Sequence, residues 1–332
     1  MSTITDAQLD ALAAGPGPQL NTFRHYRHLT VELAISQFKL RYTQSVLGYF
    51  WSLLKPAMIF AITFVIFVGL FKIKDGTQFY GIQLLLGIVV WTFFAECTAS
   101  SMMAIAGSAG LIRKAYFPRS ILVIAASMSS LFTFLINLTI VFVIAVLLHQ
   151  IDVGFRIVLV IPLLLELYLL AIGISLFLSA LFVQFHDIGH LWDVLMQLLF
   201  YGSGVMFSLS YVLQRAHLAL AAGQTLLPGQ KLAVGAKLLG GATVLPTSNL
   251  WAVLMVACNP IMQTIEDLRH ALLTPQAPWT ELVVTGHLAA VNQYARFDYP
   301  WLLPVPFLVV VAVLTIGALT FRARARTFAE NL

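Results

Sequence analysis

The sequence predicts an all-α membrane protein with six transmembrane helices per subunit, an amphipathic N-terminal helix, and short re-entrant helices between the fifth and sixth spans. Three observations predict it. Of 332 residues, 60% are hydrophobic and 10% are charged, whereas a soluble globular chain has about 45–50% apolar and about 25% charged residues. Mean hydropathy is +0.89. The apolar residues also gather into runs of the roughly 20 residues that a helix needs to cross a bilayer core of about 30 Å. A soluble enzyme, a secreted disulfide scaffold and a disordered tail are excluded.

The elements follow in order. Residues 1–22 carry Asp6 and Asp10 and no apolar h-region, so no cleavable signal peptide is read there and a flexible cytoplasmic tail is expected. In 23–49, Val31, Ile35, Phe38 and Tyr42 recur at helical spacing with Arg, Lys and Gln between them. That pattern predicts a helix on the cytoplasmic membrane surface, with Phe38, Arg41 and Tyr42 as its candidate interface residues. Residues 50–213 hold five spans, near 50–71, 79–106, 120–148, 155–183 and 191–213, and 301–332 holds a sixth near 302–321 with a short tail. Lys55 and Pro56 sit near the start of the first, where Lys can snorkel and Pro suits an early turn. Residues 149–154 form a tight polar turn that makes the third and fourth spans an antiparallel pair. Ala125, Ser129, Thr133 and Asn137 form an i, i+4 stripe of small polar residues, read as packing.

Lys and Arg total 19 against 14 Asp and Glu, a formal net charge of +5. In a membrane chain this excess reads as topology, not as nucleic-acid binding. Eleven basic residues (Arg24, Arg27, Lys39, Arg41, Lys55, Arg113, Lys114, Arg119, Arg322, Arg324 and Arg326) flank one side of the spans, and three (Lys72, Lys74 and Arg156) the other. Both termini are therefore expected in the cytoplasm. Cys97 lies inside an apolar run and Cys258 outside one, so neither a disulfide nor a metal site is expected.

Residues 107–119, GSAGLIRKAYFPR, are short, basic and aromatic. Leu111, Ile112, Tyr116 and Phe117 are costly to expose to water, so this loop, with Arg113, Lys114 and Arg119, reads as a docking element for a partner protein. Within the outward region 214–300, Asn259 is a good N-cap and Pro260 suits the first helical position. The apolar stretches there are too short to span and read as re-entrant or interfacial helices.

Sites of chemistry are few. P-loop, nucleophile-elbow, H-E-x-x-H and C-x-x-C motifs are missing. His186 and His190, with Asp187 and Asp193, read as a solvated corner before a metal site. Glu96 and Glu166 fall within the predicted spans, where acids are functional candidates. No intramembrane Lys or Arg is expected to answer them, which argues against proton coupling. Trp51, Phe60, Phe64, Phe67, Trp91, Phe93, Phe94, Phe200, Tyr201, Phe207 and Tyr211 crowd the first, second and fifth spans. Most such rings face lipid or neighbouring helices, and a minority could stack on sugar rings.

QFKLRYTQSVLGYFWSLLKP (37–56) resembles the opening signature of the permease subunits of polysaccharide and polyol-phosphate ABC exporters, the O-antigen, teichoic-acid and galactan type. LLLGIVVWTFFAE (84–96), SAGLIRKAYFPRSILVIA (108–125), QFHDIGHLWDVLMQLLFYGSGVMF (184–207), NPIMQTIEDLRHALL (259–273) and FAENL (328–332) follow in the same order. The resemblance implies a homodimer in the inner membrane that passes a lipid-linked polysaccharide through a channel. It implies two copies of a separate ABC-type ATPase beneath, holding the ATP and Mg²⁺, with no cofactor in this chain. It makes 107–119 the coupling helix, 24–42 the interface helix and 259–273 part of an outer gate. Within that pattern, Phe60, Phe64, Tyr201, Phe207 and Tyr211 are the candidate glycan contacts. One departure stands out: Tyr201-Gly202-Ser203-Gly204-Val205 replaces a proline-containing L-S-P-V, so two glycines stand where relatives kink the helix with proline. The competing readings are a membrane enzyme acting on polyprenyl-linked sugars and a drug or lipid permease.

Overall fold

In hydrocarbon no water is present to satisfy the backbone, so apolar runs of this length fold as helices. The computed structural model describes residues 19–43, 50–70, 80–114, 117–149, 155–206, 243–244, 258–273, 295–296 and 304–325. The helices are α1 (Gln19–Thr43), α2 (Phe50–Phe64, continued by a π-helical turn Val65–Leu70), α3 (Tyr80–Met103), α4 (Ala109–Lys114) and α5 (Ser120–Leu147). Then follow α6 (Val160–Phe182), α7 (Ile188–Gly202), α8 (Pro260–Leu272) and α9 (Val305–Arg324). Thr243–Val244 (β1) and Ala295–Arg296 (β2) pair in parallel.

Among the described residues five helices are long and apolar enough to cross a membrane: Phe50–Leu70, Tyr80–Met103, Ser120–Leu147, Ile157–Phe182 and Val305–Arg324. These match five of the six expected spans. The expected fifth, 191–213, differs. Its helix, α7, starts at Ile188 and stops at Gly202 after 15 residues, about 22 Å of rise and short of the bilayer core. Part of the reason is local. Gly204 takes φ of 72°, a left-handed conformation that glycine adopts without steric cost and that ends a helix. Residues 207–213 lie outside the described residues.

Helix α3 is the centre of the bundle, with 78% of its span buried against 11% for α2. It packs on α2, α5 and α6, while α1 lies on α5 and α9 on α6. Phe93 stacks on Phe134 at 4.5 Å, and Trp192 Nε1 donates to Thr98 Oγ1 at 3.1 Å, tying α7 to α3. Between apolar helices in lipid there is little hydrophobic drive, and close approach of small residues takes its place. At the α6–α9 crossing, a Cβ on Gly173 would lie 2.8 Å from the Leu314 backbone, and one on Gly317 would collide with the Gly173 carbonyl.

Pro56 lies in the second turn of α2, deeper than the early turn expected for it. It carries no N–H, so the Ser52 carbonyl four residues earlier loses its helical donor. Asn137 Nδ2 donates to that carbonyl at 3.2 Å. The stripe read as packing thus also repairs a backbone defect. Helix α8 starts as expected, Asn259 Oδ1 accepting from the N–H groups of Ile261 and Met262. Its environment decides between the two expectations for it. All 13 residues from Pro260 to Leu272 are buried, which excludes the interfacial alternative and leaves the re-entrant one.

Candidate functional site

Three places in the bundle carry the polar chemistry. The first joins α1, α2 and α3. Glu96 faces Lys55 Nζ at 3.3 Å and Arg41 at 3.8 Å. The expectation that no cation answers Glu96 is therefore corrected: the snorkelling lysine and the last-turn arginine of α1 both reach it, about two turns before the end of α3. Helix α1 is seated further by Phe38, edge-on to Phe132 of α5 at 6.0 Å, and by the fully buried Ala34. Tyr42 belongs to α1, with its side chain outside the described residues.

The second place is the connection between α3 and α5. Ala106–Ser108 winds as a 3₁₀ turn into α4. Leu111 is exposed. Ile112 and Phe117 instead turn inward and pack with Leu33 of α1 on Ala104, Leu122 and Ala126. Arg119 donates to the Ala325 carbonyl that follows α9, and Arg324 donates to Gln184 Oε1 at 2.8 Å. The short segment is thereby built into the ends of α1, α3, α5 and α9. Tyr116 and the side chains of Arg113 and Lys114 lie outside the described residues.

The third place surrounds α8; the sequence singles out Glu166 and the start of this helix, but not the Glu266–Arg269 pair. The Arg269 guanidinium is 2% exposed. It meets Glu266 Oε1 at 2.8 Å and donates to the carbonyls of Gln83 (3.2 Å), Gly204 (3.0 Å) and Val205 (2.7 Å). Beside it Gln263 donates to Asp267 at 2.6 Å. Glu166 of α6 is buried next to Gln263 and Asp267, with neither carboxylate oxygen in a regular hydrogen bond. Leu159, Pro162, Leu163, Glu166, Asp267, His270 and Phe307 line a cavity of about 150 Å³ there. The signal available in the sequence is the i, i+3 spacing of Glu266 and Arg269 behind a strong N-cap. It is easily missed because basic residues in long loops carry no topological weight.

The aromatic candidates divide. Phe60 is half-buried and Phe64 exposed, their rings 5.5 Å apart on α2. Tyr201 is exposed at the end of α7. Trp91, Phe93 and Phe94 are core residues, with Trp91 5.6 Å from Phe200. Phe207 and Tyr211 lie outside the described residues. His186, Asp187, His190 and Asp193 are exposed at the start of α7, and no group suited to a metal ion occurs among the described residues.

These features define a multi-pass helical membrane protein with a buried central span and polar clusters buried among its helices. The family of ABC-2 type transporters matches residues 28–216. The match covers more than half of the sequence, and the chain belongs to that family, as a transport component. Among curated proteins, the O-antigen export system permease protein RfbA of Klebsiella pneumoniae is 25% identical over 181 residues, 54% of this chain and 69% of that protein. The protein of the same name from Myxococcus xanthus is 24% identical over 189 residues, 56% of this chain and 71% of that one. A further Klebsiella pneumoniae RfbA is 31% identical over 94 residues, 28% of this chain and 36% of that protein.

Proposed function

We propose that this chain is the membrane-spanning permease of an ATP-driven exporter that moves a lipid-linked polysaccharide across the bacterial inner membrane. The observation that carries the reading is the family match over 28–216 together with O-antigen export permeases as relatives. Two copies form the conduit; with the short α7 counted as a crossing beside the five long helices, each has six, which puts both termini in the cytoplasm. A separate ABC-type ATPase supplies the energy, binding ATP and Mg²⁺.

The geometry supports a role for each part. The α4 connection receives the motion of the ATPase, with Leu111 the exposed apolar side chain of that segment. Because Ile112 and Phe117 share a cluster with Leu33, a displacement of α4 reaches α1 directly. Phe60 and Phe64 of α2, on the side turned toward α3, and the exposed Tyr201 of α7 line the path of the glycan. Rings in that position present flat apolar faces to sugar C–H groups and leave the hydroxyls to water. Purification from native membranes in mild detergent, with mass spectrometry of co-purifying proteins, tests the reading. An ABC-type ATPase at equal stoichiometry is expected. Recovery of this chain alone, from membranes that contain such an ATPase, overturns it.

A further inference from the structure

A helix end leaves carbonyls without donors, and in a membrane protein they must be satisfied by other groups. At the end of α7, four carbonyls in the stretch 202–206 take side-chain donors from elsewhere in the fold. Asn259 Nδ2 donates to Gly202 at 3.0 Å. Arg269 donates to Gly204 and Val205 at 3.0 and 2.7 Å. Tyr80 of α3 donates to Met206 at 2.7 Å. In an unbroken helix these carbonyls would accept from backbone N–H groups four residues on. The sequence pattern for a helix does continue through 213. Arg269 therefore stands in for backbone donors that the break removes. It is itself held by Glu266 and by the Gln83 carbonyl, and space for it is left by Gly87, where a Cβ would lie 2.9 Å from Nη2.

We propose that Arg269 is the positioning residue that holds α7 broken at Gly202–Val205 and so fixes the far end of the conduit. This rests on the exporter reading for what passes along α7, but the held break itself does not. A guanidinium suits this role, because its planar fork of donors reaches several carbonyls at once, which a lysine ammonium on a flexible stem does not. Hydrogen bonds from a charged donor are roughly twice as strong as neutral ones.

The test is the reactivity of a thiol at the break. In the full chain, in nanodiscs, Val205→Cys is introduced with Cys258→Ser; Val205 is buried and Cys258 exposed. Labelling by a water-soluble maleimide then reports release of the segment. Arg269→Met and Gly87→Ala are each expected to raise the labelling rate about tenfold or more, and Arg269→Lys to raise it less. Glycan export, where the wild type supports it, is expected to fall in the same order. Unchanged labelling in both Arg269→Met and Gly87→Ala overturns the proposal. Faster labelling with wild-type export overturns the positioning role. If Arg269→Met does not reach the membrane, Arg269→Lys decides, since a Cβ on Gly87 also lies 3.3 Å from the Val205 backbone and Gly87→Ala disturbs the labelled position directly; labelling unchanged in Arg269→Lys then overturns the proposal. Failure of the exporter reading shows separately, as a wild type that exports no glycan while the labelling result stands.

Discussion

Glu96 and Glu166 lie in two expected spans, and their surroundings call for opposite behaviour on substitution. Glu96 is partly exposed between Lys55 and Arg41, and the Lys55 side chain is 57% exposed. Such pairs contribute little, so Glu96→Gln is expected to lower stability by about 0.5 kcal/mol, read as a small drop in melting temperature in detergent. Glu166 is buried without a regular hydrogen bond. An amide of the same shape carries no charge to desolvate, so Glu166→Gln is expected to raise stability by about 1 kcal/mol in the same measurement. A marked fall would show that the carboxylate has a structural partner. Both acids are visible in the sequence as residues in apolar runs, but their partners are not. Lys55 lies 41 positions from Glu96, and only the fold brings such distant groups together.

At the scale of the element, periodicity and capping carry most of the information. Five spans and the start of α8 at Asn259–Pro260 are readable because length, N-cap and proline chemistry are local. The stop of α7 is half readable: Gly202 and Gly204 stand out, but their effect depends on donors from α3 and α8. The burial of α8 is hidden by its composition. A helix with Glu, Asp, Arg and His on it reads as a surface element unless its partners, such as the Gln83 carbonyl 186 residues away, are known. The α4 connection separates two kinds of residue. Phe117→Ala opens a hole in the cluster with Ile112 and Leu33 and is expected to cost about 1–3 kcal/mol of stability. Leu111→Ala changes an exposed side chain. It is expected to leave the melting temperature alone and to weaken co-purification of the ATPase. Equal ATPase recovery from wild type and Leu111→Ala would remove Leu111 from the docking surface.

For the whole molecule, the uneven burial of the spans decides what a single copy leaves undone. Helix α2 has large apolar side chains exposed along its length, including Trp51, Met58, Ile62, Val65 and Leu70. A second copy that closes the conduit would cover this face. Cysteine at Ile62 is therefore expected to form covalent dimers in membranes under mild oxidation, whereas cysteine at the equally exposed Leu308 of α9 is not. Dimers from Leu308 alone would place the contact between copies on the opposite side.

The Gly173–Gly317 crossing has a kinematic meaning. Two helices that touch backbone to backbone have no cushion of side chains over which to slide. The α6–α9 pair therefore loses its sliding degree of freedom and moves as one plate. Gly173→Leu would pry that plate apart, at a cost of about 3 kcal/mol or more. Any stroke that widens a passage must then be taken up outside that pair, first by α2, the least buried of the spans, swinging against a stationary frame.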